Sequence, residues 1–215
     1  MPAKSPSSLD TKEILTAEFE YIASTANQAN EDRARVSSFY LVAVGSVIAA
    51  LFSAQYLRES FDPITVDLLF GILFLILTAL GTTTNLQLAR LRVAWFESAI
   101  AMNHIKEHVI KLDPKLKNAF KWRFTSLPLL YKMDSISFLQ ALEVALLSGL
   151  TFAASVFFFL QCTRFNEIVM DLSLTILFGL LAAAGQIFLY RRILLTAYRR
   201  LKKDLEPTNG AQLQP

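Results

Sequence analysis

The chain's only two histidines stand together in the run His104-Ile-Lys-Glu107-His108, with Glu97 seven and eleven residues before them. On a helix, an H-x-x-E-H spacing sets two imidazoles on one face with a carboxylate beside them. Inverted zinc peptidases use that arrangement to hold a metal and a general base. Glu97 stands where a third ligand could come from. The run lies near the end of a polar helix with no second acidic helix or sheltering cleft in view. A solvated helix face is therefore the reading carried forward, with zinc at His104, His108 and Glu97 as its rival. No catalytic residue, enzymatic activity or cofactor is expected.

Ionisable groups inside long apolar stretches are the second chemical signal, because a charge at the centre of a bilayer costs about 2.5 to 3.5 kcal/mol. There are three: Asp67, Asp171 and Glu143. The two aspartates fall in the first turns of their stretches, where headgroups, water and the positive end of the helix dipole stabilise a carboxylate. Capping is the expectation for them, and a ring of carboxylates at a pore mouth is the functional alternative. Glu143 lies one to two turns inside the cytoplasmic end of its stretch, which makes it the foremost intramembrane candidate.

These groups sit on apolar segments at residues 38–57, 64–86, 138–161 and 168–190. Each reaches the roughly 20 residues that a helix needs to cross about 30 Å of hydrocarbon. With 53% hydrophobic residues in 215 positions, little remains for a separate globular domain. Nothing apolar precedes residue 38, so no cleavable signal peptide is expected and the first span serves as the insertion signal. Lys and Arg fall in the segment before the first span, the loop between the second and third, and the segment after the fourth. Only Arg58 and Arg164 lie in the two short loops. The positive-inside rule then puts both termini and the central loop in the cytoplasm of a multi-pass inner-membrane protein. The net charge of +3 is a topology signal first. The tail Arg199-Arg200-Leu-Lys202-Lys203 suits anionic headgroups better than nucleic acid. Cys162, the single cysteine, has no intramolecular partner.

Breakers set the helix limits. Asp10 can cap a helix that runs without a stop to residue 57. Asp62 and Pro63 supply an N-cap and a first-turn proline for the next, with Phe61 and Val66 as its staple and Phe165, Asn166 and Met170 repeating the device. That second helix has no breaker until Asp113-Pro114, and the fourth continues to Leu205 before Pro207. The expected organisation is all-α: a membrane four-helix bundle of two tandem hairpins, with helices extended into a cytoplasmic stalk. Its parts are a disordered 1–9, a first half at 10–112, a basic connector at 113–137 containing a short helix, a second hairpin at 138–205 and a disordered tail at 206–215. Leu15, Phe19, Ile22, Ala26, Ala29, Arg33, Val36 and Tyr40 alternate steps of four and three. So do Leu88, Leu91, Trp95, Ser98, Met102, Ile105, Val109 and Leu112, and such seams seek partner helices. Amphipathic helices lying on the membrane surface are the alternative.

The two halves repeat at an offset of 104 residues: residues 58–86 and 162–190 share 10 identities without a gap, among them Asp67/Asp171 and Gly81/Gly185. The offset also joins Gly45 to Gly149 and Ala49 to Ala153. These small residues allow close helix approach within a protomer or between protomers. No continuous polar set is apparent through the bundle, so a hydrated path is expected between protomers rather than within one.

The stretch Glu18-Phe-Glu-Tyr21 through Glu31-Asp-Arg33-Ala-Arg35-Val-Ser-Ser-Phe39-Tyr40-Leu41 resembles the entry to the first membrane helix in bacterial SLATT and RipA-like proteins. Those combine a charged N-terminal helix, an Arg-bearing turn, a membrane hairpin and a further cytoplasmic helix; the present chain has two hairpins. The resemblance implies a homo-oligomer that perturbs or perforates the membrane as an effector of a bacterial conflict system. The rival expectation is a non-conducting scaffold or sensor that recruits a soluble cytoplasmic partner through the stalk. In either case the bilayer is the first partner.

Overall fold

In the computed structural model, residues 11–53, 62–162 and 168–205 are described. Asp10, Phe61, Phe165 and Asn166, the loop arginines 58 and 164, residues 54–57 of the first span and both terminal segments lie outside them. Among the described residues the chain is all α-helical apart from its connector. It forms four long helices: α1 (Thr11–Ser53), α2 (Pro63–Leu112), α3 (Ile136–Cys162) and α4 (Ile168–Leu205). Each is long and apolar enough to cross a membrane, which marks the chain as a membrane protein.

The breakers act where the sequence puts them. Asp62 caps α2 by accepting from the Thr65 amide at 3.2 Å, and Pro63 takes the first helical position, where no amide is needed. From there α2 runs unbroken for 50 residues, about 75 Å at 1.5 Å per residue. It stops at Asp113, whose amide closes on the Val109 carbonyl. The Asp113 carboxylate then accepts from the Lys115 amide and turns the chain into the connector.

α2 is the central element. It packs against α1 on one side and α3 on another, and α4 leans on α3 and more lightly on α2. The core joins Tyr40 and Val44 of α1, Phe74, Leu77, Leu88 and Phe96 of α2, Val144 of α3 and Tyr190 and Leu194 of α4. Near the C-terminal end of α3, Phe158 stacks on Phe74 with centroids 5.8 Å apart. Much of each span's outer face stays apolar and uncovered, including Phe52, Leu69, Leu150 and Leu180. Hydrocarbon rather than water is the solvent such faces require.

The stalk exists. The α1 seam is buried or half-buried along its whole length, Arg33 included. In α2 the expected seam is buried at Leu88 and Ser98 and half-buried at Leu91, Trp95, Met102, Ile105 and Val109, while Leu112 is exposed. The buried face is wider than that seam and also takes in Ala89, Arg92, Phe96, Ala99, Asn103 and Ile110. Part of the extra width is polar: Arg92 donates from Nε to the Leu130 carbonyl at 3.3 Å and from a terminal nitrogen to that of Leu129, while its guanidinium lies 4.5 Å over Trp95. The connector thus folds back onto α2. It is not one short helix but two 3₁₀ turns, Pro114–Asn118 and Phe124–Ser126, because its backbone is held by α2 side chains. Besides Arg92, Lys106 donates to the Trp122 carbonyl and Glu107 accepts two 2.9 Å bonds from Arg123.

Candidate functional site

The carboxylate of the H-x-x-E-H run is committed to that last contact. Glu107 and Arg123 form a forked, partly buried ion pair that ties the connector to α2. His104 turns its ring edge-on to Phe124 at 4.9 Å, and His108 and Glu97 are exposed. Among the described residues no group of three or more His, Cys, Asp or Glu side chains gathers to hold a metal ion.

The three acidic candidates separate. Glu143 stands exposed on the outer face of α3, in line with Leu139, Leu146 and Leu150, which are all exposed as well. Those positions advance by four, three and four residues, so one apolar seam carries a single carboxylate. Asp67 is half-buried. Asp171 is 2% exposed, one turn before the buried Thr175, and its Oδ1 accepts no hydrogen bond. This is a buried carboxylate facing the bundle, not a solvated first-turn cap.

The small residues separate too. A Cβ on Gly149 would stand 2.7 Å from the Gly179 carbonyl and 2.8 Å from the Ala183 methyl, and one on Gly179 would meet Ala153 at 2.8 Å. Gly149 and Ala153 therefore let α3 and α4 touch backbone to backbone. Gly45 and Ala49 are exposed, and nothing lies within 4 Å of a Cβ built on Gly45.

A polar line does run through the bundle, contrary to the expectation of none. Thr78 and Thr151 share a 3.0 Å bond, and Ser148 donates to the Thr78 carbonyl. Gln186 donates to Ser148 at 2.6 Å and to Thr82 at 3.1 Å, and Asn85 reaches back to the Gln186 carbonyl. Outward, Ser155 donates to the Gly71 carbonyl. The spacings Thr78-Thr82-Asn85 and Ser148-Thr151-Ser155 put one polar stripe on each helix, a signal present in the sequence. The line is tightly packed: a Cβ on Gly81 would lie 2.6 Å from both Ser148 Oγ and Tyr40 Oη. It joins α2, α3 and α4, and Thr78, Thr82 and Gln186 of the line also border a groove of about 250 Å³ against α4.

At the end of α3 nearest the connector the line meets two buried arginines. Arg33 of α1 donates to Ser137 Oγ of α3 at 2.6 Å, and Tyr190 Oη donates to the Ser137 carbonyl. Burial lowers the pKa of Arg33, and burial followed by the neighbouring charge of Arg33 lowers that of Arg92. Further down the stalk the chain's two tryptophans, Trp95 and Trp122, frame an apolar cavity of about 250 Å³ with Met102, Leu127 and Asn103. Asn103 is 1% exposed and its Nδ2 has no acceptor. On the opposite flank an open cleft of about 580 Å³ lies between α2 and α4, edged by Arg90, Arg192 and Arg200.

No protein-family model, curated protein or solved structure matches the chain.

Proposed function

We propose that the protein is a homo-oligomer of the inner membrane whose copies meet through the outer face of α3 and enclose a path lined by Glu143. In this reading it conducts ions or perturbs the bilayer, as an effector of a bacterial conflict system, and its cytoplasmic stalk governs opening. Both termini and the connector are cytoplasmic, as the Lys and Arg distribution supports. One observation carries the proposal: Glu143 points out of the bundle on an otherwise apolar seam. It lies five residues, about 7.5 Å, to the cytoplasmic side of Ser148. Facing lipid there, a carboxylate is costly; facing other copies, it lines a polar centre. The packed interior of one protomer supports a path between copies. The resemblance of residues 18–41 to SLATT and RipA-like proteins supports the effector role, and two hydrogen bonds support the duplication. Arg33–Ser137 and Thr82–Gln186 each join positions 104 apart, the repeat offset itself.

The stalk cavity favours a second reading, a non-conducting sensor or scaffold. Its two tryptophans and the unpartnered, buried Asn103 amide are what a small-ligand or partner site would offer. Ion flux through liposomes containing the purified protein separates the two. Flux that falls on Glu143→Gln supports the pore; a defined oligomer with no flux under any stalk variant supports the sensor.

A further inference from the structure

The cleft between α2 and α4 has a polarity that changes along its length. Its cytoplasmic part gathers Arg90 from α2 and Arg192 and Arg200 from α4 around the single carboxylate of Glu97. Among the described residues none of these four side chains takes part in an ion pair, so the cleft holds an uncompensated positive charge. Directly above it, sharing Leu189 as a wall, lies a second groove of about 250 Å³ between Ala182, Gly185 and Phe152, lined also by Thr78, Thr82 and Gln186. Residues 182, 185, 189, 192, 196 and 200 fall at steps of three and four, so both parts occupy one face of α4. Along that face the lining passes from small and apolar to basic over about 27 Å, at 1.5 Å per residue. Nothing lies within 4 Å of a Cβ at Gly185, which leaves the upper groove open. Leu189 ends the apolar span and Arg192 follows one turn later, so the change falls where hydrocarbon gives way to headgroups.

We infer that this cleft is a binding site for one anionic phospholipid. The phosphate sits among Arg90, Arg192 and Arg200, and an acyl chain lies in the groove over Gly185 against Phe152. A guanidinium pairs with phosphate through parallel N–H donors, and three converging from two helices clamp those helices together. Free phosphate offers the same headgroup chemistry but nothing for the upper groove. The occupant is drawn from the bilayer, and binding does not depend on conduction, on the oligomer or on Glu143.

The test is native mass spectrometry of the full-length protein in a non-ionic detergent, titrated with phosphatidylglycerol, with phosphatidylcholine or with inorganic phosphate. Phosphatidylglycerol is expected to bind in preference to phosphatidylcholine. Each arginine contributes about fivefold at an anionic surface, so Arg192→Gln with Arg200→Gln should weaken it about 25-fold. Lys111→Gln, exposed in the last turn of α2 and outside the cleft, should leave it unchanged. Gly185→Leu alters no charge and its Cβ has nothing within 4 Å, while the rest of the side chain fills the acyl groove and should also weaken binding several-fold. Folding of each variant is read from far-ultraviolet circular dichroism. Equal binding of the two lipids, or an unchanged preference in the folded double-arginine variant, overturns the site. Competition by inorganic phosphate together with an unaltered Gly185→Leu variant overturns the lipid and leaves a free-anion site.

Discussion

Gly45 and Gly149 lie 104 residues apart, the offset at which the two sequence halves align, yet the packing predicts opposite effects for the same methyl group. At Gly149 an added Cβ would stand 2.7 Å from a carbonyl oxygen and 2.8 Å from a methyl carbon. Ordinary carbon contacts lie at about 3.5 to 4.0 Å, so α3 and α4 must part by roughly 0.7 Å or more. Neither obstacle is the flexible tip of a side chain, so the strain belongs in the upper part of the usual overpacking range, about 2 to 3 kcal/mol. The lower conformational freedom of alanine returns about 0.5 to 1 kcal/mol. Gly149→Ala should therefore be destabilised by about 1 to 2.5 kcal/mol once these opposing effects are set against each other. At Gly45 nothing lies within 4 Å, only the conformational gain remains, and Gly45→Ala should be stabilised by about 0.5 to 1 kcal/mol. Reversible unfolding in mixed micelles, followed by circular dichroism against increasing sodium dodecyl sulfate, measures both. Shifts of the same sign and size in the two variants refute the reasoning, since they would mean that α3 and α4 are not in backbone contact at Gly149.

Three further outcomes follow from individual contacts. Ser137→Ala removes the acceptor for the buried Arg33 guanidinium and should cost about 1.5 to 3 kcal/mol in the same titration; no shift would show that this bond does not tie α1 to α3. Gln186→Leu deletes two interhelical bonds within the span. Such bonds average about 0.6 kcal/mol and reach about 1.7, so a loss beyond about 3 kcal/mol would mean that the polar line does more than join helices. Arg123→Gln frees Glu107 and should speed tryptic cleavage at Lys115, Lys117 and Lys121, whereas an unchanged rate would show that the ion pair does not hold the connector down.

How much of this was legible in the sequence varies with the physical cause. Asp62-Pro63 and Asp113-Pro114 act through local backbone chemistry, and the ends of α2 fall there. The α1 seam was legible for a similar reason: a regular spacing of apolar residues admits one face, and Arg33 falls on it. The α2 seam was legible except at Leu112, but the buried face proved wider, because Arg92 and Asn103 look like surface residues until the connector that binds Arg92 is in place. The place of Glu143 along α3, seven residues after its start, followed from counting along the sequence. Its direction did not, because α3 is apolar on nearly every face and gives no periodic contrast. Asp171 and Asp67 match in sequence and differ in burial because only one of their faces is covered by neighbours. Gly45 and Gly149 part for the same reason. The polar stripes on α2 and α3 were readable at their three- and four-residue spacings, but Ser and Thr bonded to backbone carbonyls look dispersed when each helix is read alone.

The central claim is that copies of the chain meet through the outer face of α3. It is tested most directly by cysteine cross-linking in membranes, in a Cys162→Ala background that leaves no native thiol. Leu146→Cys and Leu150→Cys, on the seam that bears Glu143, should form disulfide-linked dimers on mild oxidation. Leu180→Cys, exposed on α4, should not. Monomers at positions 146 and 150 with efficient linkage at 180 would contradict the account and move the assembly surface to α4.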